Sequence, residues 1–286
     1  MSAMEQSSTL AAEGDSKATT QSREYAGGKM LAARRDGIGV VTFNQPAKHN
    51  AISVEMWGGL GEILDEFAAD DGVRVVVLTG AGTRAFVSGA DISQFEKQRS
   101  NADAQRAYDE QTSIGRDKLS NFPKPTIASI RGYCLGGGLA IAMQTDLRIA
   151  SSDSQFGIPA ARLGIAYGID GLRRLVSLVG PAHARMILYT GERIDAAEAA
   201  RIGLINRVVE PGDLESHVQH LAQTISTNAP LSIAASRMAI NQVLQDPDER
   251  DSAALARAAA ACFDSEDYRE GRAAFLEKRK PQFKGR

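Results

Sequence analysis

The chain has 286 residues, 43% of them hydrophobic and 24% charged, and a formal net charge of −2. That length supports one large domain with a sizeable core, and the near-neutral balance excludes a global field that would draw the protein to nucleic acid or an anionic membrane. No apolar run reaches membrane-spanning length; two cysteines form no disulfide framework, and four histidines without ligand spacing disfavour metal catalysis.

Residues 1–28 are polar and rich in Ser, Thr and Ala, without the charged-then-apolar layout of a signal peptide, and read as a flexible tail. The thiols of Cys134 and Cys262 suit a reducing compartment, so the cytoplasm is expected. "GIGVVTFN" (37–44) predicts a strand that stops at Asn44-Gln45-Pro46. Ser53 then caps a predicted helix whose apolar residues are Met56, Leu60, Ile63, Leu64 and Phe67. "VRVVVLTG" (73–80) is a continuous apolar run, the mark of a strand buried on both faces. "PTIASIRG" (125–132) and "DLRIAS" (146–151) predict two more strands, with helices between.

This alternation predicts an α/β fold with parallel pairing over 29–210. From 211 to 286 the periodicity is helical only. Pro230 suits a first helical turn with Asn228 near the cap. Asp264 is a candidate cap for the last helix, with Glu266 and Asp267 in its first turn and Lys278, Arg279 and Lys280 at its end.

Two loops stand out chemically. "GYCLGGGLAIA" (132–142) sets Gly136, Gly137 and Gly138 between a strand and a helix, where bare backbone N–H groups meet the positive end of a helix dipole. The spacing fits neither a dinucleotide fingerprint nor a phosphate loop. "AFVSGADI" (85–92) repeats the strand-and-turn pattern through Gly89 and Ala90 to Asp91 and Ile92. Two such loops make a two-donor, all-backbone oxyanion hole possible.

With "HNAIS", "VRVVVLTGAGTRAFVSGADI", "KPTIASIRGYCLGGGLAIAMQTDLRIAS", "FGIPAARLGI", "YTGERIDAAEAARIGLINRVV" and "FLEKRKPQF" in order, the chain resembles the crotonase (enoyl-CoA hydratase/isomerase) superfamily over residues 30–285. The resemblance implies a spiral of β-β-α turns with a C-terminal helical region. It implies an acyl-CoA thioester substrate, with coenzyme A entering as part of that substrate, no separate cofactor, no metal, and no nucleic-acid or membrane partner. Assembly as a homotrimer or dimer of trimers is implied too. By motif, the oxyanion donors are the N–H groups of Ala90 and Gly137, while Gly136 and Gly138 serve the backbone's close approach. Substrate contacts map onto Lys48, Asn50, Ser88, Gly89, Asp91, Ile92 and Gly136, and onto Phe275 and Lys278 of the last helix. Lys278 also suits a helix C-terminus.

The chain departs from the pattern at two places. Where the resemblance places the two glutamates of a hydratase, this sequence has Ala140 and Ala160. Alanine can neither activate water nor protonate carbon. Tyr167, at a position resembling a pocket tyrosine of the methylmalonyl-CoA decarboxylase branch, is a candidate proton donor, or else a packing residue. Asp170 is the next candidate, or else a helix cap. Arg162, Arg173 and Arg174 either pair with surface acids or select a carboxylated acyl chain. The leading expectation is therefore decarboxylation or isomerisation through an oxyanion-stabilised enolate. The alternatives are a hydratase with a non-standard acid/base, or a non-catalytic acyl-CoA binder.

Overall fold

The computed structural model describes residues 22–91 and 101–286, and Asp170 by its backbone alone. An antiparallel entry is made by β1 (Arg23–Tyr25), β2 (Met30–Arg35) and β3 (Ile38–Phe43), and α1 (Val54–Ala69) follows. Three turns come next: β4 (Val75–Gly80), β5 (Ala85–Val87) and α2 (Ala102–Ser120); β6 (Thr126–Ile130), β7 (Tyr133–Leu135) and α3 (Gly137–Gln144); β8 (Leu147–Ser151), β9 (Gln155–Gly157) and α4 (Ile169–Thr190). After β10 (Ile194–Asp195), α5 (Ala196–Arg201) and β11 (Arg207–Val209), the chain is helical: α6 (Leu214–Thr227), α7 (Pro230–Val243), α8 (Ser252–Asp264) and α9 (Glu266–Leu276).

Each turn gives its first strand to one sheet and its second to another. The larger sheet runs β1-β2-β3-β4-β6-β8-β11 and the smaller β10-β9-β7-β5. From β3 to β11 the larger sheet is parallel, as are the pairs β5–β7 and β7–β9. Stacked turns of this kind wind the β-β-α spiral. The continuous apolar run of β4 is explained by its neighbours. Val76 and Leu78 enter the main core, while Val75 and Val77 pack against Leu214, Val218 and Ala222 on one stripe of α6. No described helix is long and apolar enough to cross a membrane.

Several expectations need correcting. The residues read as tail include β1, whose exposed Arg-Glu-Tyr run carries no burial signal yet pairs with β2; residues 1–21 and Ile92 lie outside the described residues. Ser53 does cap α1, accepting from the Met56 N–H. The last helix is capped by Ser265, which accepts from the Tyr268 N–H at 2.9 Å, while Asp264 closes α8. Asn228 ends α6, and Ala229 precedes Pro230 at the start of α7. Lys278, Arg279 and Lys280 fall beyond the end of α9, and Arg279 pairs with Glu270 and Glu277 instead of completing the helix.

Candidate active site

β7 runs into α3 through the three glycines, and each meets a different constraint. Gly136 has φ 50° and ψ −114°, a conformation that a side chain disfavours. A Cβ on Gly138 would stand 1.9 Å from the Val87 carbonyl oxygen, so close backbone packing requires glycine there. Gly137 is under no such pressure from its neighbours. A Cβ there would stand 3.6 Å from both the Ala90 nitrogen and the Ile52 Cγ2, an ordinary contact.

The second loop reaches this point through a single parallel bridge between Ile52 and Ala90. Ile52 N–H donates to Gly89 O at 2.8 Å, and Asp91 N–H donates to Ile52 O at 2.9 Å. In a parallel ladder this uses the residues either side of Ala90 and turns the Ala90 N–H away from Ile52. Gly137 opens α3 without a side-chain cap, so its N–H is one of the helix's orphan donors at the positive end of the dipole. Among the described residues neither amide has an acceptor. The two loops thus bring Gly137 and Ala90 close together.

The loop carrying Lys48 and Asn50 braces this arrangement. Asn50 is fully buried; its Oδ1 accepts from Gln45 N–H at 2.9 Å, and its Nδ2 donates to Ala81 O at 2.9 Å and Ala85 O at 2.8 Å. The Asn50 side-chain amide is thus committed to holding the turn before β5. Asn50→Ala is expected to strand three backbone groups, one buried and two part-buried, and cost about 2–4 kcal/mol, read as a lowered unfolding midpoint in denaturant. Ser88 N–H donates to His49 O at 3.1 Å, and Lys48 Nζ pairs with Asp91 Oδ2 at 2.9 Å, so Lys48, Ser88, Gly89 and Asp91 gather beside Ala90.

Along α3 lies a cleft of about 730 Å³ lined by Ala140, Gln144, Tyr167, Gly171 and Arg174, with α2 and α7 completing its wall. Gly137, Ala140 and Gln144 are spaced i, i+3, i+7 and share one face of α3. The Tyr167 ring packs over Gly171, whose added Cβ would meet it at 3.5 Å. Tyr167 and Ala140 therefore share the cleft wall. The Asp170 backbone sits in the first turn of α4, after the N-cap Gly168; its side chain is outside the described residues. Ala160 is 6% exposed and belongs to the main core, not the cleft. Phe275 and Lys278 are exposed and line no part of this cleft. Cys134 is buried, and burial pushes its thiol well above the usual range, leaving it inert.

Two acids escaped the sequence reading. Asp109 and Asp117 of α2 also line the cleft. Asp109 accepts from Gln105 Nε2 at 2.9 Å and faces Arg116 at 3.6 Å. A long polar helix with no motif gives no hint that one of its faces meets α3.

The comparisons with known proteins agree with this architecture. A short-chain-enoyl-CoA hydratase of Clostridium acetobutylicum is 39% identical over 258 residues, covering 90% of this chain and 98% of that protein. A crotonyl-CoA hydratase of Syntrophomonas wolfei is 37% identical, with coverages of 89% and 97%. The crystal structure of an enoyl-CoA hydratase/carnithine racemase from Magnetospirillum magneticum superposes with a TM-score of 0.86 at 37% identity, covering 90% of this chain and 96% of that one. Residues 33–286 match the enoyl-CoA hydratase/isomerase family, and the chain belongs to that family.

Proposed function

We propose that the chain is an acyl-CoA enzyme working through a thioester enolate held by the N–H groups of Ala90 and Gly137. The observation that carries this reading is the closeness of Gly137 to Ala90, where a Cβ added to Gly137 would stand 3.6 Å from the Ala90 nitrogen, with both N–H groups left without acceptors among the described residues. Preorganised donors in a dry site stabilise charge that develops on the thioester oxygen. Lys48, Ser88, Gly89 and Asp91 would meet coenzyme A on the Ala90 side, leaving the acyl group to the cleft.

Hydration of a 2-enoyl thioester is the activity that the relatives' names favour. With alanine at positions 140 and 160, water activation and carbon protonation would pass to Tyr167, Asp170 or the cleft aspartates. Decarboxylation or isomerisation is the second reading. It is favoured by Ala140 and Tyr167 lining one cleft, because a departing carbon dioxide leaves its electron pair behind and needs only the hole and a proton donor. A panel of 2-enoyl, 3-enoyl and malonyl-type thioesters, followed by mass spectrometry of the products, separates these readings. Tight binding without turnover of any of them would mean a binding protein and overturn both.

Tyr167→Phe keeps the ring over Gly171 and removes only the hydroxyl. It is expected to bind acyl-CoA normally and lose turnover by about 10²-fold or more. Wild-type rates in this variant would reduce Tyr167 to packing.

Self-association is part of the same proposal. Tyr189 on α4, Ile240 and Val243 on α7, Phe263 on α8, and Phe275 and Leu276 on α9 are large, exposed and apolar. A surface of this kind marks an interface, and light scattering after gel filtration should read three or six chain masses. The cytoplasm is the proposed compartment, in keeping with reduced thiols.

A further inference from the structure

The cleft has a second end. From Gly137 to Gln144 the stripe on α3 descends seven residues, about 10 Å at the helical rise. On α4 the matching stripe passes from Gly171, under the Tyr167 ring, to Arg174 one turn on. Gln144 and Arg174 therefore line the cleft beyond Ala140 and Tyr167, away from the Ala90 side.

Among the described residues, positive charge is in excess around Asp146. Arg148, Arg174 and Arg237 gather near one carboxylate, Asp146. That carboxylate is already engaged. It accepts from Thr126 N–H at 2.8 Å, from Thr126 Oγ1 at 2.9 Å and from Arg237 Nε at 3.0 Å. Arg148 is buried and spends its guanidinium on neutral acceptors, Leu204 O at 2.8 Å and Thr145 O at 2.7 Å. Arg237 keeps a buried Nη2 with no acceptor among the described residues. Arg174 has no carboxylate within salt-bridge distance among the described residues. Burial, and then the other arginine, lowers Arg148 to about 10; burial, with Arg237 opposing and Asp146 favouring its charge, lowers Arg174 too. An excess of positive charge that is buried at Arg148 and half-buried at Arg174 and Arg237 favours an anion beside it.

Building on the acyl-CoA reading above, we infer that Arg174 and Gln144 bind a carboxylate at the far end of the acyl group, so that the substrate is the thioester of a dicarboxylic acid. Arginine presents a planar fork that matches a carboxylate, and the Gln144 amide supplies a further donor beside it. Of the three arginines that flank the cleft loop in sequence, the geometry selects Arg174. Arg162 donates to Thr190 O at 3.1 Å outside the cleft; Arg173 also lines the cleft but is exposed, whereas Arg174 is half-buried and stands near Asp146.

The test is a set of binding constants, which need no turnover. Calorimetry on the full chain compares glutaryl-CoA, butyryl-CoA and free coenzyme A. Glutaryl-CoA is expected to bind about 10- to 100-fold more tightly than butyryl-CoA, the range for hydrogen bonds to a charged group. Arg174→Gln should abolish that advantage and leave butyryl-CoA unchanged. Should Arg174→Gln lose its fold by circular dichroism, Gln144→Leu carries the test, with glutaryl-CoA weakened severalfold and butyryl-CoA unaffected. Equal binding of the two thioesters by the wild type overturns the inference while leaving the acyl-CoA reading intact. A parallel loss of free coenzyme A binding in Arg174→Gln also overturns it, by assigning the charge to the nucleotide's phosphates. Failure of all three ligands to bind removes the acyl-CoA reading itself.

Discussion

Gly137→Pro is expected to lower kcat by about 10²–10³-fold while leaving the fold intact. Gly137 is the first residue of α3, where proline is tolerated because the N–H has no intrahelical acceptor. The substitution therefore removes one donor aimed at the thioester oxygen, and its ring adds bulk beside the Ala90 amide. Gly137→Ala is the informative companion: it keeps the donor but sets a methyl 3.6 Å from the Ala90 nitrogen, in the space the oxygen should occupy. Both variants should unfold near the wild-type midpoint and both should be slow. A fully active, folded proline variant would place the catalytic power elsewhere.

Crotonyl-CoA hydration is the second large effect. Loss of a general acid or base typically costs about 10²–10⁴-fold, so the rate is expected to lie at least that far below a two-glutamate relative. The two alanines are not equivalent. Ala140 lines the cleft, where a carboxylate would have water and substrate beside it; Ala160 is buried among apolar neighbours, where an added charge would need a partner. Ala140→Glu should therefore raise hydration of crotonyl-CoA, and Ala160→Glu should cost stability first. A wild-type turnover equal to that of an active two-glutamate hydratase would mean that Tyr167, Asp170, Asp109 or Asp117 has taken the role in full.

What the sequence reveals depends on how local the cause is. The α1 stripe and its Ser53 cap, and the uninterrupted apolar run of β4, follow from periods contained within each segment. β1, β10 and β11 have two or three residues each, too few to show a period, and are defined by their partner strands. The triple glycine reads as a backbone feature. Only the fold separates Gly138, forced by the Val87 carbonyl, from Gly137, which faces Ala90. The bracing role of the Asn50 side chain has no local signal, because its hydrogen bonds reach Gln45, Ala81 and Ala85, up to 35 positions away. The Arg148, Arg174 and Arg237 cluster was invisible for the same reason, because β8, α4 and α7 bring it together across the chain.

The central claim is that one thioester oxygen sits between two backbone amides. A crystal structure of the full chain with a saturated acyl-CoA bound tests it directly. The account predicts the oxygen about 2.7–3.1 Å from the nitrogens of both Ala90 and Gly137, with the acyl chain running past Ala140 and Tyr167 into the cleft. A thioester oxygen turned toward solvent or toward a side chain, with either amide left without it, would contradict it.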